Sequence, residues 1–353
     1  MEKYLAVDAG KFATKVALYN PETKKAVKCK FRTKIDQGDF RDDNIEKGTF
    51  VVEINGMVYK VGNGATHETK LEMTKLGEEH KVCALTAIAF MANNKDVIHV
   101  AVGCPIMEYQ VVEKRERYRE ELLPSGEVTV RMKEHDSDAI VEKTFTIASK
   151  VVYAESTGVL FLDPIRFDGK SVGVIDIGGG TALGNISDNF EINAQYSMTT
   201  EYGGNVLITE LAQELTAKFG RVDASLVARL IKTDAAHRYL TSKRGNADIT
   251  AESKQMIHDY IINYINKIRR ACDAKSWSLD YMDLVFTGGT SEALATEIRE
   301  VFGDDIYIPA HSDFTNAVGF LKKLVARKLN ESIDIEGDFD DVLISGEIAK
   351  KIA

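Results

Sequence analysis

The chain has 353 residues, of which 44% are hydrophobic and 28% charged, with a formal net charge of −9. That length suits two domains with separate cores, and the composition excludes wholesale disorder. The acidic balance works against direct attraction to a nucleic-acid backbone, which relies on clustered Lys and Arg.

Taken in chain order, apolar alternation predicts strands at 3–7, 14–19 and 26–31. The stretch TFVVEINGMVYKVG holds two strand-like runs separated by Asn55-Gly56, a strong signal for a two-residue hairpin within a small insertion at about 32–77. A helix follows at 79–92, then a buried strand over 97–103 and a helix at 108–122. The run EKRERYREE in that helix carries as many acids as bases and reads as a solvated face. Further strand material ends in TFTIASKVVY, and a helix is expected to open at AESTGVLFL.

The second half repeats the order. Strands are predicted at 172–176, 181–186 and 190–197, and helices at 204–219 and 250–274. A helical insertion with the polar loop TSKRGNAD occupies about 220–250. DLVFTGG forms a buried strand, with a helix at 290–302, a short strand DIYIP and a helix at 315–330 after it. The tail, 331–353, has seven acids against two lysines, and its mildly amphipathic end VLISGEIAKKIA lacks the basic excess that would bind anionic lipid. Strands alternating with helices in both halves predict an α/β protein built from a duplicated unit.

The duplication is sharpest where LAVDAGKFATKVALY answers GVIDIGGGTALGNIS, so that Asp8 corresponds to Asp176 and Gly10 to Gly178. A strand, an Asp, a glycine-containing turn and a second strand suit a polyphosphate, because glycine lets several backbone N–H groups converge on one anion. The carboxylate at the strand end can hold Mg²⁺ through its waters. A third element, LVFTGGTSEAL, runs a buried strand into Gly288-Gly289 and a helix capped by Thr290 or Ser291, which suits a base and ribose lying close to the backbone.

Other motifs read as structure. Gly169 to Ser171 spell the end of a Walker A loop, but Pro164 stands where its first glycine belongs, so the stretch is a turn. None of the seven histidines has metal-ligand spacing, and His99 reads as a core residue. Cys29, Cys83, Cys104 and Cys272 lack C-x-x-C spacing and read as small core hydrophobes. No run reaches the roughly 18 apolar residues of a membrane span, and MEKYLAVDAG has no signal-peptide pattern. The expectation is a reducing, cytoplasmic setting.

These motifs together resemble the actin superfamily, which includes the sugar kinases and heat-shock ATPases. VDAGKFATKVAL resembles its first phosphate loop, VYAESTGVLFL its first connecting helix, VIDIGGGTALGNI its second phosphate loop, LVFTGGTSEAL its adenosine motif and NAVGFLKKL its second connecting helix. The hairpin insertion and VGCPIMEYQ are similar to the bacterial plasmid-segregation actins of the ParM/StbA family.

The resemblance implies a duplicated ribonuclease-H-like actin fold: two lobes around a nucleotide cleft, each with a small insertion subdomain. Lobe I would span 1–168, with the helix at 315–330 packing back on it, and lobe II would span 169–314. Asp8 and Asp176 would organise Mg²⁺ through water. Gly10, Lys11, Phe12, Ala13, Thr14 and Lys15, with Gly178, Gly179, Gly180 and Thr181, would bind the phosphates of ATP or GTP, leaving ADP or GDP as product. Gly288, Gly289 and Thr290 would meet the nucleoside, and Glu155 would orient the attacking water. Lys11-Phe12 departs from the family, which more often has Ser or Thr and a small residue there.

The function implied is a polymerising ATPase or GTPase whose head-to-tail filaments move plasmid DNA through a DNA-binding adaptor, with no membrane partner. The alternatives from sequence are a small-molecule kinase of the same superfamily, a chaperone ATPase and a non-polymerising scaffold. The first lacks a candidate general-base Asp outside the phosphate loops, and the second lacks a substrate-binding domain after 330. The third would need a membrane-binding terminal helix, which the acidic tail argues against.

Overall fold

A computed structural model gives the structure of the protein and describes residues 1–42, 45–67, 75–134, 137, 139–242, 248–333 and 339–341. Most of the TSKRGNAD loop and the tail end VLISGEIAKKIA lie outside the described residues. The chain divides into two compact units, one of Met1–Leu162 with Asn316–Ala353 and one of Asp163–Thr315.

The first unit opens with an antiparallel meander, β1 (Glu2–Ala9), β2 (Ala13–Asn20) and β3 (Lys25–Arg32). Beyond it come β4 (Ile35–Gln37) and the hairpin β5 (Thr49–Ile54) and β6 (Met57–Gly62). Asn55 and Gly56 both have positive φ, +52° and +78°, as a twist-matched two-residue turn requires.

The helix α1 (Glu78–Met91) is buried over most of its surface and carries the chain to β7 (Val97–Cys104), parallel to β1. Two helices follow, α2 (Ile106–Tyr109) and α3 (Val112–Leu122). A single helix is expected here, but extended Val111 (φ −99°, ψ 117°) interrupts it. In α3, Tyr118 is fully buried, while Arg117 pairs with Glu121 at 2.8 Å and Arg119 with Glu116 at 2.5 Å on the solvated face.

Then come β8 (Gly126–Glu134) and the 14-residue β9 (Val141–Ala154). The first part of β9 is antiparallel to β8, and its later part is parallel to β7. β8 in turn pairs with β5, so the hairpin insertion continues the main sheet and draws in 126–134 as well. A last short strand, β14 (Phe339–Asp341), lies parallel to β3. The resulting order is β14-β3-β2-β1-β7-β9-β8-β5-β6-β4. Phe31, Phe50 and Phe90 meet in the core beneath it, with ring centroids 5.2 and 5.0 Å apart. Each such side chain contributes roughly 1.5–3 kcal/mol by burial.

The second unit starts with the one-turn helix α4 (Pro164–Phe167) and a Gly169 turn at φ +67°. A meander follows, β10 (Ser171–Ile177), β11 (Ala182–Asp188) and β12 (Glu191–Thr200). The helices α5 (Gly204–Phe219), α6 (Ala224–Ile231) and α7 (Thr250–Ala274) lead to β13 (Asp283–Thr287), parallel to β10. The sheet order β12-β11-β10-β13 repeats β3-β2-β1-β7 of the first unit, so the internal duplication is a fact of topology.

The predicted helix over 290–302 is broken at Leu294 (φ −106°, ψ 19°) into α8 (Gly289–Ala293) and α9 (Ala295–Phe302). DIYIP is a single parallel bridge between Tyr307 and Val285 rather than a strand, because Pro309 has no N–H to extend the ladder. The helix α10 (Thr315–Leu329) returns to the first unit from Asn316 onward. There Phe320 packs 5.5 Å from Tyr153, and Lys322 donates to Leu162 O at 2.6 Å. All four cysteines are free and buried. Among the described residues, no helix is long and apolar enough to cross a membrane.

Candidate functional site

In the first unit the chain leaves β1 just after Asp8 and turns through Gly10, Lys11 and Phe12 into β2. A Cβ on Gly10 would stand 2.8 Å from Ala13 O, so the turn needs glycine there. Thr33 pins the turn by donating to Gly10 O at 2.6 Å, and its hydroxyl lies 2.9 Å from that of buried Thr14. Asp8 is buried, and Lys15, opposite it in the ladder, reaches it at 3.3 Å. Phe12 is exposed at the tip of the turn, with the Arg32 guanidinium 3.5 Å above its ring. Burial, and then the nearby charge of Lys75, push the Lys11 ammonium below its ordinary value.

Glu155 follows directly on β9, with its N–H donating to Cys104 O at 2.8 Å. It does not open an α-helix as expected: Ser156 takes a left-handed conformation (φ +61°) and only a 3₁₀ turn, Gly158–Phe161, comes after. Attraction to a helix dipole therefore does not explain this carboxylate. Glu155 is buried and ion-paired with Lys75. Burial raises its carboxyl above the usual range, with Lys75 opposing the shift and Asp8 adding to it. A Cβ on Gly103 would lie 3.5 Å from both Asp8 Oδ1 and Glu155 Cγ, so the two acids flank one glycine. Nothing in the sequence marks Lys75.

In the second unit three segments interlock. Asp176 sits in β10 beside Thr287 of β13, and Gly178 N–H closes the following turn by donating to Thr181 O at 3.0 Å. The first amides of α5 hold that turn from outside: Gly204 N–H donates to Gly178 O at 2.9 Å and Asn205 N–H to Gly179 O at 2.8 Å. Thr290 of α8 donates to the same Gly178 O at 3.3 Å. Gly288 has φ +90°, and a Cβ there would stand 2.5 Å from Asp176 Oδ1. Gly203 is packed so closely that a Cβ would lie 2.5 Å from Gly179 O and Thr181 N. The structure thus brings Asp176, Gly178 to Thr181 and Gly288 to Thr290 together. It adds Gly203 and Gly204, which the sequence reading passes over and whose adjacency is the mark that would have pointed to this close approach.

The residues fit a magnesium-bound polyphosphate. Among the described residues, the amides of Gly179, Gly180 and Thr181 donate to no protein group, and a Cβ on Gly180 would meet nothing within 4 Å. Such a row of N–H groups in a turn suits an anion. No group of three or more His, Cys, Asp or Glu among the described residues could hold a metal alone. Mg²⁺ does not require one, since it keeps several waters and binds through one or two carboxylates plus phosphate oxygens.

Residues 6–158 match the family of actin-like protein N-terminal domains. Among solved structures, the Alp12 filament structure is 26% identical with a TM-score of 0.68, covering 92% of this chain and 99% of that one. The archaeal actin homologue Ta0583 in complex with ADP is 16% identical with a TM-score of 0.67, covering 91% and 98%. Bacillus thuringiensis ParM in its apo form is 16% identical with a TM-score of 0.61, covering 92% and 96%. No curated protein sequence matches the chain. The duplicated sheets and paired glycine turns give the chain the fold of the actin homologues, and residues 6–158 match an actin-like N-terminal domain. Its counterparts in structure include the Alp12 filament protein and Bacillus thuringiensis ParM.

Proposed function

We propose that this protein is a nucleotide-driven polymerising ATPase or GTPase that builds head-to-tail filaments and moves plasmid DNA through a DNA-binding adaptor. One observation carries the reading: the same device, a strand-end aspartate before a glycine turn, occurs at corresponding positions of two duplicated sheets, with Asp8 in one and Asp176 in the other. Both turns serve one nucleotide. Gly10 to Lys15 and Gly178 to Thr181 bind its phosphates, and Gly288, Gly289 and Thr290 receive the nucleoside. Asp8 and Asp176 would hold Mg²⁺ through water, and the bound ion would supply neutralisation of the phosphate charge.

Glu155 accepts a hydrogen bond from the attacking water and orients it, which is the main demand that phosphoryl transfer makes on protein side chains. The likeness to a filament structure supports self-assembly, and the likeness to an ADP complex supports nucleotide binding. A net charge of −9 favours reaching DNA through an adaptor over contacting it directly. Heterologous contacts that do not close produce filaments, and nucleotide state governs them through differential affinity for two arrangements of the chain.

The test is sedimentation and light scattering of the purified chain with Mg²⁺ and ATP, GTP or a slowly hydrolysed analogue across a range of salt. Pelleting polymer is expected with at least one nucleotide. Its absence in every condition would refute the filament.

A further inference from the structure

Lys75 is 9% exposed, and its backbone sits in the left-handed region at φ +48°, where a side chain is placed at a cost. Its ammonium meets the carboxylate of Glu155, itself 3% exposed. The charged and titratable groups facing that carboxylate come from several elements. Asp8 lies on β1, Lys11 in the turn after it, Lys15 on β2, Cys104 at the end of β7 and Tyr118 on α3. Lys15 is already engaged with Asp8 at 3.3 Å, and Cys104 and Tyr118 bring no positive charge. Lys11 acts on Glu155 through its charge, and Lys75 donates a hydrogen bond to it. Its surroundings hold a like charge, since Lys11 lies within reach of its ammonium, and the charge of Lys75 in turn helps keep buried His80 neutral.

A cation held in a left-handed residue beside a second lysine is a poor choice for stability alone. It makes sense where a buried carboxylate must stay charged and fixed. We infer that Lys75 is a positioning residue for hydrolysis, whose ammonium holds the Glu155 side chain in place and in the carboxylate form that accepts a hydrogen bond from water. The inference rests on the role given to Glu155 above. Burial drives the Glu155 carboxyl toward the neutral acid, and Lys75 is the largest influence opposing it. A neutral Glu155 would carry a proton where the water's hydrogen should point.

The test compares wild type with Lys75→Met, which keeps the length without the charge, and Lys75→Arg, which restores it. The first readout needs no nucleotide. The carboxylate band of Glu155 is followed by infrared difference spectroscopy of the whole chain against pH, and assigned by subtracting Glu155→Gln. Lys75→Met is expected to raise the midpoint by about one unit or more, at least a tenfold change in the ionisation constant, and Lys75→Arg to return most of it. The second readout is the pH profile of Mg-nucleotide hydrolysis, whose acid limb should move to higher pH by the same amount in Lys75→Met.

An unchanged midpoint in Lys75→Met overturns the inference, as does a shifted midpoint with an unmoved acid limb in a protein that Glu155→Gln inactivates. Should Lys75→Met not fold, Lys75→Gln gives the same comparison. A Glu155→Gln variant that hydrolyses at the wild-type rate strikes instead at the role proposed for Glu155, and the midpoint alone then decides whether Lys75 holds it charged.

Discussion

Gly288 and Gly289 are adjacent and chemically identical, yet the structure gives them opposite tolerance. At Gly288 the backbone has φ +90° and ψ 153°, a region in which side chains are essentially not found. A Cβ there would also stand 2.5 Å from Ile177 O, a main-chain atom at the end of β10 that cannot move aside without disturbing that strand, and 2.5 Å from Asp176 Oδ1. The conformational penalty of about 1–3 kcal/mol adds to an overpacking cost of similar size, so Gly288→Ala should destabilise by about 4 kcal/mol. At Gly289 the nearest atom to an added Cβ is Asp313 Cβ at 3.4 Å, an ordinary contact, and the residue begins α8. Gly289→Ala should stay within about 1 kcal/mol of wild type. For a unit of this size the first change lowers the melting temperature by about 10 °C and the second by less than about 3 °C. Scanning calorimetry of the two variants is the assay, with Mg-nucleotide affinity as a second reading because Gly288→Ala displaces Asp176. Equal melting temperatures for the two variants would refute this account of the turn.

Two further outcomes follow from the first unit. Glu155→Ala should leave nucleotide binding and pelleting intact while hydrolysis falls by roughly 100-fold or more, the usual scale for a group that handles the attacking water. A phosphate-release assay at wild-type rate would remove Glu155 from the mechanism. His80 is 1% exposed, and burial, followed by the charges of Lys75 and Lys11, lowers its pKa to about 3. The unfolded chain therefore takes up a proton near pH 6.5 that the folded chain refuses. The associated stability is complete above that pH and drains away as pH falls toward 3, reaching on the order of 3–5 kcal/mol. His80→Leu should flatten the acid side of a urea-unfolding series stepped in pH, and parallel pH slopes for the two proteins would show that His80 is not the group responsible.

The regular parts of this fold are legible in the residues because they obey simple periods. Val174 to Ile177, Leu284 to Phe286 and Val97 to Val102 are short apolar runs bounded by turn residues, and each is a buried parallel strand. Asn55-Gly56 identifies its hairpin because few other pairs accept two positive φ values in succession. Boundaries set by one residue's conformation are harder to see: extended Val111, Leu294 between α8 and α9, and left-handed Ser156 carry no compositional mark.

The same holds for the candidate site. Asp8, Asp176 and the glycines are local patterns and can be read in line. Lys75 meets Glu155 across 80 positions of chain, and His80 loses its proton to burial, neither of which leaves a trace in local sequence. Gly203-Gly204 is visible as a pair, but its purpose depends on the Gly178 turn that it grips.

The long strand β9 has one further implication. Its early residues are stitched to the hairpin side of the sheet, its later residues to β7, and Glu155 is the next residue along. A push applied to the hairpin by whatever docks there would travel toward Glu155 along one strand, past the extra residue Ala148 where its register against β7 shifts. Contacts at that distant edge and the setting of Glu155 therefore share one strand.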